Sequence, residues 1–316
     1  MSLALFSPLP DASSAAGRFD WLILALTLIT AAMALLLAAL IVFFCVRYRH
    51  GAQVDRSQPP SGARGLEAAW TALPALLFLG IFIWAAGDYM RLHQPPADAM
   101  PIYVVAKQWM WKVQHQNGRR EIDQLHVPLG QPVRLVMTSQ DVIHSFFVPA
   151  FRVKQDVVPG RYTALWFKPT RVGSYHLFCA EYCGTDHAVM RGKVIVMPPQ
   201  DFARWLESGN TTPGIVEEGR ALFLRHGCSG CHDARSTVHA PSLAGLIGRR
   251  VALQDGRVIT ADEAYIRDSL LVPRKDVVAG FAPVMPSFSG QLSEEDILAL
   301  IEYIRHDGDH DASTQR

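Results

Sequence analysis

Only Thr27 and Thr30 interrupt the apolar run from Trp21 to Val46, and no charge falls inside it. As a helix this run is long enough to cross the roughly 30 Å hydrocarbon core of a bilayer; a fully buried soluble helix is the competing reading. A second apolar stretch runs from about Ala68 to Ala86, contains Pro74 and ends at Asp88. Proline is tolerated in membrane helices because neighbouring groups re-satisfy the freed backbone. The short loop between the stretches carries Arg47, Arg49, Arg56 and Arg64 against Asp55 alone. By the positive-inside rule that loop faces the cytoplasm, so both ends of the hairpin, and everything after residue 90, are expected on the outer side. No basic region precedes the first run and no small-residue cleavage site follows it, so it does not read as a secretory signal.

At 316 residues the chain predicts two or three domains. Thirty Lys and Arg nearly balance 29 Asp and Glu, which argues against a nucleic-acid partner. Beyond the hairpin, β-favouring runs recur at 102–106, 132–138, 161–167, 173–178 and 189–197, separated by Pro and Gly clusters. That rhythm predicts an all-β sandwich or barrel. Pro198 to Pro213 reads as a connector with one short helix at 201–207. The rest is helical: Thr260–Glu263 suggests a capping box for a helix reaching Leu271, and Ser293–Asp296 starts another whose Leu298, Ile301 and Ile304 share a face. The expected units are 1–94, an N-terminal segment with the two-helix hairpin; 95–200, the β domain; 201–212, a linker; and 213–316, a helical domain.

Chemistry concentrates in Cys179-Ala-Glu-Tyr-Cys-Gly-Thr-Asp-His-Ala-Val-Met190, which offers two thiols, an imidazole and a thioether. Soft ligands of this kind select copper over magnesium, calcium or manganese. A mononuclear site of one Cys, two His and a weak Met would use Cys183, His187, Met190 and the upstream His144, leaving Cys179 over. Two cysteines three residues apart can instead each bridge two ions, so the spare thiol suggests two coppers. A disulfide between Cys179 and Cys183, or a zinc site, competes with this, but neither would use Met190 or His144.

Cys228-Ser-Gly-Cys231-His232 is the c-type haem attachment pattern, two thiols for the vinyl groups and an adjacent imidazole for the iron. A redox Cys-x-x-Cys or a zinc ribbon would be the alternative; the outer location disfavours the first and the lack of a second ligand pair the second. Met285 is the only methionine after Met197, and Pro283 and Pro286 hold its loop extended, suiting it as distal ligand. His226, His239, His306 and His310 are the other candidates.

The pattern Cys-x-x-x-Cys-x-x-x-His-x-x-Met with an upstream His resembles cytochrome c oxidase subunit II, and the fused Cys-x-x-Cys-His domain resembles its caa-type branch. The resemblance covers almost the whole chain. It implies a cupredoxin-like Greek-key β domain and an all-α class I cytochrome c domain. It also implies a binuclear CuA centre with Cys179 and Cys183 bridging, His144 and His187 terminal, and Met190 and the Glu181 carbonyl as weak axial ligands. In the family the Glu181 side chain also helps bind magnesium at the border with subunit I.

Two more motifs fit the family. Lys107-Gln-Trp-Met-Trp-Lys112 implies Trp109 as the point where electrons enter and Trp111 as structural, although the family commonly has Tyr where Met110 stands. Glu67, in Glu-x-x-Trp-Thr-x-x-Pro, corresponds to the mouth of a proton-uptake path; physically it could equally be a helix-start carboxylate.

The implied function is electron transfer in a proton-pumping terminal oxidase of the bacterial inner membrane: an external cytochrome or other periplasmic donor, covalent haem c, CuA, then subunit I, with subunit III and membrane lipid as further partners. A quinol oxidase subunit would lack the copper ligands. Nitrous oxide reductase would need a large His-rich domain, and a membrane-anchored copper carrier would need neither Met190 nor the haem motif. Between residues 95 and 200, twelve basic residues face seven acidic ones; from 213 to 316 there are eleven against fifteen. Opposite signs on tethered domains predict that the helical domain docks on the basic face around Trp109.

Overall fold

The computed structural model describes residues 9–54, 64–208, 214–233 and 236–314, with side chains to residue 306; Asp55 and Arg56 of the basic loop lie outside them. Two helices, α1 (Ala16–Arg47) and α2 (Arg64–Leu92), span 32 and 29 residues, ample for a hydrocarbon core of roughly 30 Å. Their apolar side chains are largely exposed, as expected of surfaces that face lipid or another membrane subunit. α2 runs through Pro74 and continues past Asp88, where the apolar stretch stops. Asp88 pairs with Arg91 one turn on, at 3.5 Å, so the charge is accommodated within the helix.

The β domain is a sandwich of two five-stranded sheets. One has the order β3 (Arg120–Ile122), β2 (Met110–His115), β1 (Met100–Lys107), β5 (Val133–Ser139), β8 (Thr163–Phe167). The other has the order β4 (Gln124–Pro128), β10 (Arg191–Met197), β9 (Gly173–Cys179), β6 (His144–Val148), β7 (Val153–Val157). Pairings are antiparallel except β1 with β5 and β4 with β10.

Alternation along each strand sends one set of side chains into the core: Ile102, Val104 and Ala106 from β1 meet Leu135 and Met137, Phe146 and Val148, Leu177, and Val194 and Val196. The opposite face of β1 and β5, with Tyr103, Val105 and Val136, is buried as well, in the cluster that holds Ile297, Leu298 and Ile301 of the helical domain. Burial on both faces is why β1 reads as an unbroken apolar run. β10 begins at Arg191 rather than 189, because His187–Val189 form a 3-10 turn.

The N-terminal segment also reaches the sandwich. Ala12 is fully buried in the sandwich core, Ser13 bridges to Pro169, and its Oγ donates to the Phe151 carbonyl at 2.8 Å. Ser14 N donates to Lys168 O and Thr170 N to Ala12 O, both at 3.0 Å. Just beyond this strap, Asp20 on α1 forms a two-point ion pair with Arg152, both contacts at 2.9 Å. Small residues with no apolar period fill this slot, so the pattern carried no sign of it.

After the sandwich come α3 (Pro199–Glu207), α4 (Ile215–Arg225), the single turn α5 (Ser229–His232), α6 (Glu263–Leu271) and α7 (Glu294–Thr314). A two-stranded ribbon, β11 (Arg250–Ala252) with β12 (Val258–Thr260), adds to the helices expected here. Thr260 ends that ribbon, so the N-cap of α6 is Asp262, whose side chain accepts from Tyr265 N, and not Thr260 as the capping-box reading supposed. α4 and α7 cross closely at Gly219, where any β-carbon would collide with the Ala299 carbonyl.

The helical domain docks on the outer face of the β1–β2–β5 sheet. Lys112 pairs with Glu295 (2.9 Å), Arg120 with Glu218 (2.7 Å) and Arg134 with Glu263 (3.6 Å), the basic partner always on the β domain, as the charge asymmetry predicts. Arg267 reverses the pattern by donating to the Gly160 carbonyl at 3.0 Å.

Candidate copper and haem sites

His144 and Cys179 are 35 residues apart, yet β6 and β9 are antiparallel neighbours with Phe146 opposite Cys179. That pairing sets His144, at the start of β6, beside Cys179, at the end of β9. The following loop turns back through Gly184, whose φ of +117° suits glycine. A β-carbon there would sit 2.7 Å from Nε2 of Gln108, so the glycine also makes room for its neighbour.

The loop brings five donors together. Sγ of Cys179 lies 3.8 Å from Sγ of Cys183 and 3.9 Å from Nδ1 of His144. Sγ of Cys183 lies 3.5 Å from Nδ1 of His187 and 3.7 Å from Sδ of Met190. The Glu181 carbonyl stands 3.2 Å from Cys179 Sγ, while the Glu181 side chain is exposed. Cys179, Cys183, His144 and Met190 are buried and His187 is half-buried. Both thiols are free, so no disulfide consumes them.

This donor set fits copper. At a sulfur separation of 3.8 Å, an ion at an ordinary metal–thiolate distance of about 2.3 Å reaches both sulfurs. His144 is oriented for ligation, because its Nε2 lies 2.8 Å from Oδ1 of Asp141 and must donate to it, leaving the Nδ1 lone pair toward Cys179. Burial opposes ionisation of Cys179, but its contacts with His144 and with backbone groups outweigh it and bring the thiol down to about 6. Burial and the neighbouring Cys179 push Cys183 up to about 12. A bound metal would favour the thiolate form of both cysteines.

Around the loop, Gln108 Nε2 and Trp109 Nε1 both donate to the Cys183 carbonyl, at 2.7 and 3.3 Å. Trp109 is half-buried at the β1–β2 turn. Trp111 is fully buried, edge-on to Phe146 at 5.2 Å and to His144 at 6.1 Å. Glu67 lies in the first turn of α2, at the end of the hairpin away from the copper donors. Sequence reasoning missed Asp141 and Gln108 as supports; the Asp-x-x-His spacing carried a signal for the first.

In the helical domain one apolar cleft is lined by Cys228, Cys231, His232 and Met285 together with Phe223, Leu246 and Leu270. These residues fit a haem: two thiols on one turn, an imidazole and a thioether share a cavity with an apolar lining. Nδ1 of His232 donates to the Pro241 carbonyl at 2.9 Å, which leaves Nε2 as the ligand atom. His239 stacks on Phe281 at 4.6 Å and His226 is edge-on to Phe288 at 6.2 Å, so both are engaged by aromatic rings. His306 is exposed, and the His310 side chain lies outside the described residues.

The profile for the periplasmic domain of cytochrome c oxidase subunit II matches residues 102–197, and the cytochrome c profile matches residues 216–307. A cytochrome c oxidase subunit 2 of Alkalihalophilus pseudofirmus is 28% identical over 94% of this chain and 89% of its own length. That of Thermostichus vulcanus is 31% identical over 55% of this chain and 69% of its own. The crystal structure of the periplasmic domain of Bradyrhizobium japonicum subunit II is 31% identical, covering 36% of this chain and 96% of that one, with a TM-score of 0.35. Copper in the sandwich and haem in the helical domain are what the two profiles imply, and two apolar helices make this a membrane-anchored protein with periplasmic domains. Matched along nearly its full length in one relative and above 30% identity over two thirds of another, the chain belongs to the cytochrome c oxidase subunit II family, as the electron-transferring subunit of a haem-copper oxidase whose fused cytochrome c domain fits the caa type.

Proposed function

We propose that this chain takes electrons from a cytochrome or other periplasmic donor and delivers them, by way of a haem c and then a binuclear CuA centre, to subunit I, where oxygen is reduced and protons are pumped. The observation that carries this reading is the thiol pair Cys179 and Cys183, with His144 beside the first and His187 and Met190 beside the second, in a domain against which the Cys228, Cys231, His232 and Met285 cradle is docked. When bound, the two groups supply one-electron carriers whose potentials follow from their ligands.

The residues have distinct tasks. Cys179 and Cys183, with His144 and His187, would hold the copper through thiolate and imidazole donors, and Met190 and the Glu181 carbonyl would add weaker donors. Asp141 holds the His144 ring so that Nδ1 faces the thiols. The exposed Glu181 side chain is free to bind magnesium at the border with subunit I. Cys228 and Cys231 would anchor the haem covalently, and His232 and Met285 would hold its iron. Trp109, bonded to the Cys183 carbonyl, is the surface group through which electrons arrive. Glu67, at the cytoplasmic end of α2, marks where protons enter subunit I. Residues 1–94 then serve as anchor, 95–200 as copper domain, 201–212 as linker and 213–316 as haem domain, in the inner membrane of a bacterium beside subunits I and III.

The test is spectroscopic, on the oxidase purified intact from membranes. A mixed-valence binuclear copper signal in EPR together with a haem c absorption band that stays with this polypeptide on denaturing gels is the expected result. Copper without the mixed-valence signal, or haem that dissociates on denaturation, would overturn the corresponding assignment.

A further inference from the structure

β3 is only three residues long, yet its alternation presents side chains to both sides of the sheet. Arg120 reaches outward and donates to both oxygens of Glu218 on α4, at 2.7 and 2.8 Å. Glu121 reaches the other way, to a side chain only 6% exposed. There Oε1 meets Nε2 of His115 at 2.8 Å and accepts from the His126 backbone N at 3.0 Å, while Oε2 meets Nδ1 of His126 at 2.5 Å. A buried carboxylate is costly unless every lone pair is engaged, and these three donors engage it.

What the triad supports is the linker. The His126 ring, held by Glu121, stacks on Trp205 of α3 at 4.2 Å and 21°. His115 meets Trp205 edge-on at 5.3 Å and Phe202 at 6.1 Å. The Arg119 guanidinium lies 3.8 Å from the Trp205 ring centroid and also donates to the Trp205 carbonyl. Asn117 Nδ2 donates to the Leu206 carbonyl at 2.9 Å. At the far end of the linker, Ile215 N donates to Gln116 O at 3.2 Å. Residues 116–121 therefore touch the linker helix and, through Gln116 and Arg120, the first turn of α4.

We propose that Glu121, His115 and His126, with Trp205 and Arg119, act as a positioning lock, holding α3 on the β2–β3 hairpin and thereby keeping the haem domain at one place on the β1–β2–β5 face. A short tether alone would only raise the local concentration of the haem domain, leaving its orientation open. Two anchored ends around residues 209–213 remove that freedom. The inference deepens the electron-transfer reading, on which it rests only for why a constant separation of the two sites matters.

The test reads position directly. In the purified oxidase, a water-soluble carbodiimide joins an amine to a carboxylate only at contact distance, so the 2.9 Å pair Lys112–Glu295 reports the docked state. Mass spectrometry should find that cross-linked peptide in the native chain. Trp205→Ala and Glu121→Gln should each lower the docked-to-undocked ratio about tenfold, the change expected when one buried anchoring contact is lost, and reduce the cross-link yield accordingly. Trp205→Phe, which keeps a ring for His126 to stack on, should restore it. Haem and copper spectra on the same samples separate lost position from lost fold. Native cross-link yield in Trp205→Ala would overturn the proposal, and would do so whether or not electrons flow along the proposed route.

Discussion

Nε2 of His144 stands 2.8 Å from Oδ1 of Asp141, and the same carboxylate accepts from the backbone of Gln108 at 2.7 Å and of Val142 at 2.7 Å. Burial and these donors act in opposite senses on Asp141, and the donors prevail, holding it below the usual carboxylate range. An anion fixed in this way sets both the tautomer and the angle of the imidazole. Asp141→Ala should lower copper affinity about 10- to 100-fold, the usual loss when a supporting partner of a metal-bound histidine is removed. Competition against a chromophoric copper chelator measures it; unchanged affinity would sink the role.

The two tryptophans of the β1–β2 hairpin should separate cleanly. Trp111 is 0% exposed, and Trp111→Ala should destabilise the sandwich by about 3–5 kcal/mol, the range for truncating a buried aromatic. Trp109→Phe keeps an aromatic ring at a half-buried position but loses the indole N–H, and should leave thermal stability near native while slowing copper reduction in stopped-flow mixing with reductant. Equal stability losses in the two variants would contradict the division of roles.

Met285→His should keep the haem attached through Cys228 and Cys231 but lower its reduction potential, because Met/His ligation raises it relative to two imidazoles. Potentiometric titration of the haem band gives the shift, with the copper signal as internal control. An unmoved potential would assign the distal position to another residue.

Glu121 gives a pH signature. Burial disfavours its anion, but hydrogen bonds from His115 and His126 outweigh that and bring the carboxyl from 4.5 down to about 2. The associated stability, about 3 kcal/mol, is fully present above the unfolded value and is lost as pH falls through the folded one. The gap in melting temperature between the native chain and Glu121→Gln should therefore be largest above pH 5 and shrink steadily below pH 4. A gap that stays constant to pH 3 would contradict the ion-paired arrangement.

The copper donors were legible because four of them share a twelve-residue loop, where spacing alone narrows the chemistry. His144 was legible only as a candidate, because a copper site asks for a second imidazole; it took the β6–β9 pairing to bring it to Cys179. Strands with a clean apolar run, such as β1, were found. β2 and β6 were not: β2 includes Gln114 and His115, both buried, and β6 opens with His144 and Ser145, also buried. Such residues break the apolar period that marks a strand. The Glu121 triad stayed invisible for a related reason, since a carboxylate and two imidazoles spread over 115–126 look like ordinary surface polarity until the sheet closes over them.

Ala12, Ser13 and Ser14 complete the sandwich from a position upstream of the first membrane helix, whereas every other part of that sandwich follows the second. The core can be finished only when both ends of the hairpin have reached the same side of the bilayer. A chain with only one of the two helices inserted would leave the slot of Ala12 empty and Ser13 away from Phe151, so completing the fold depends on insertion of both spans.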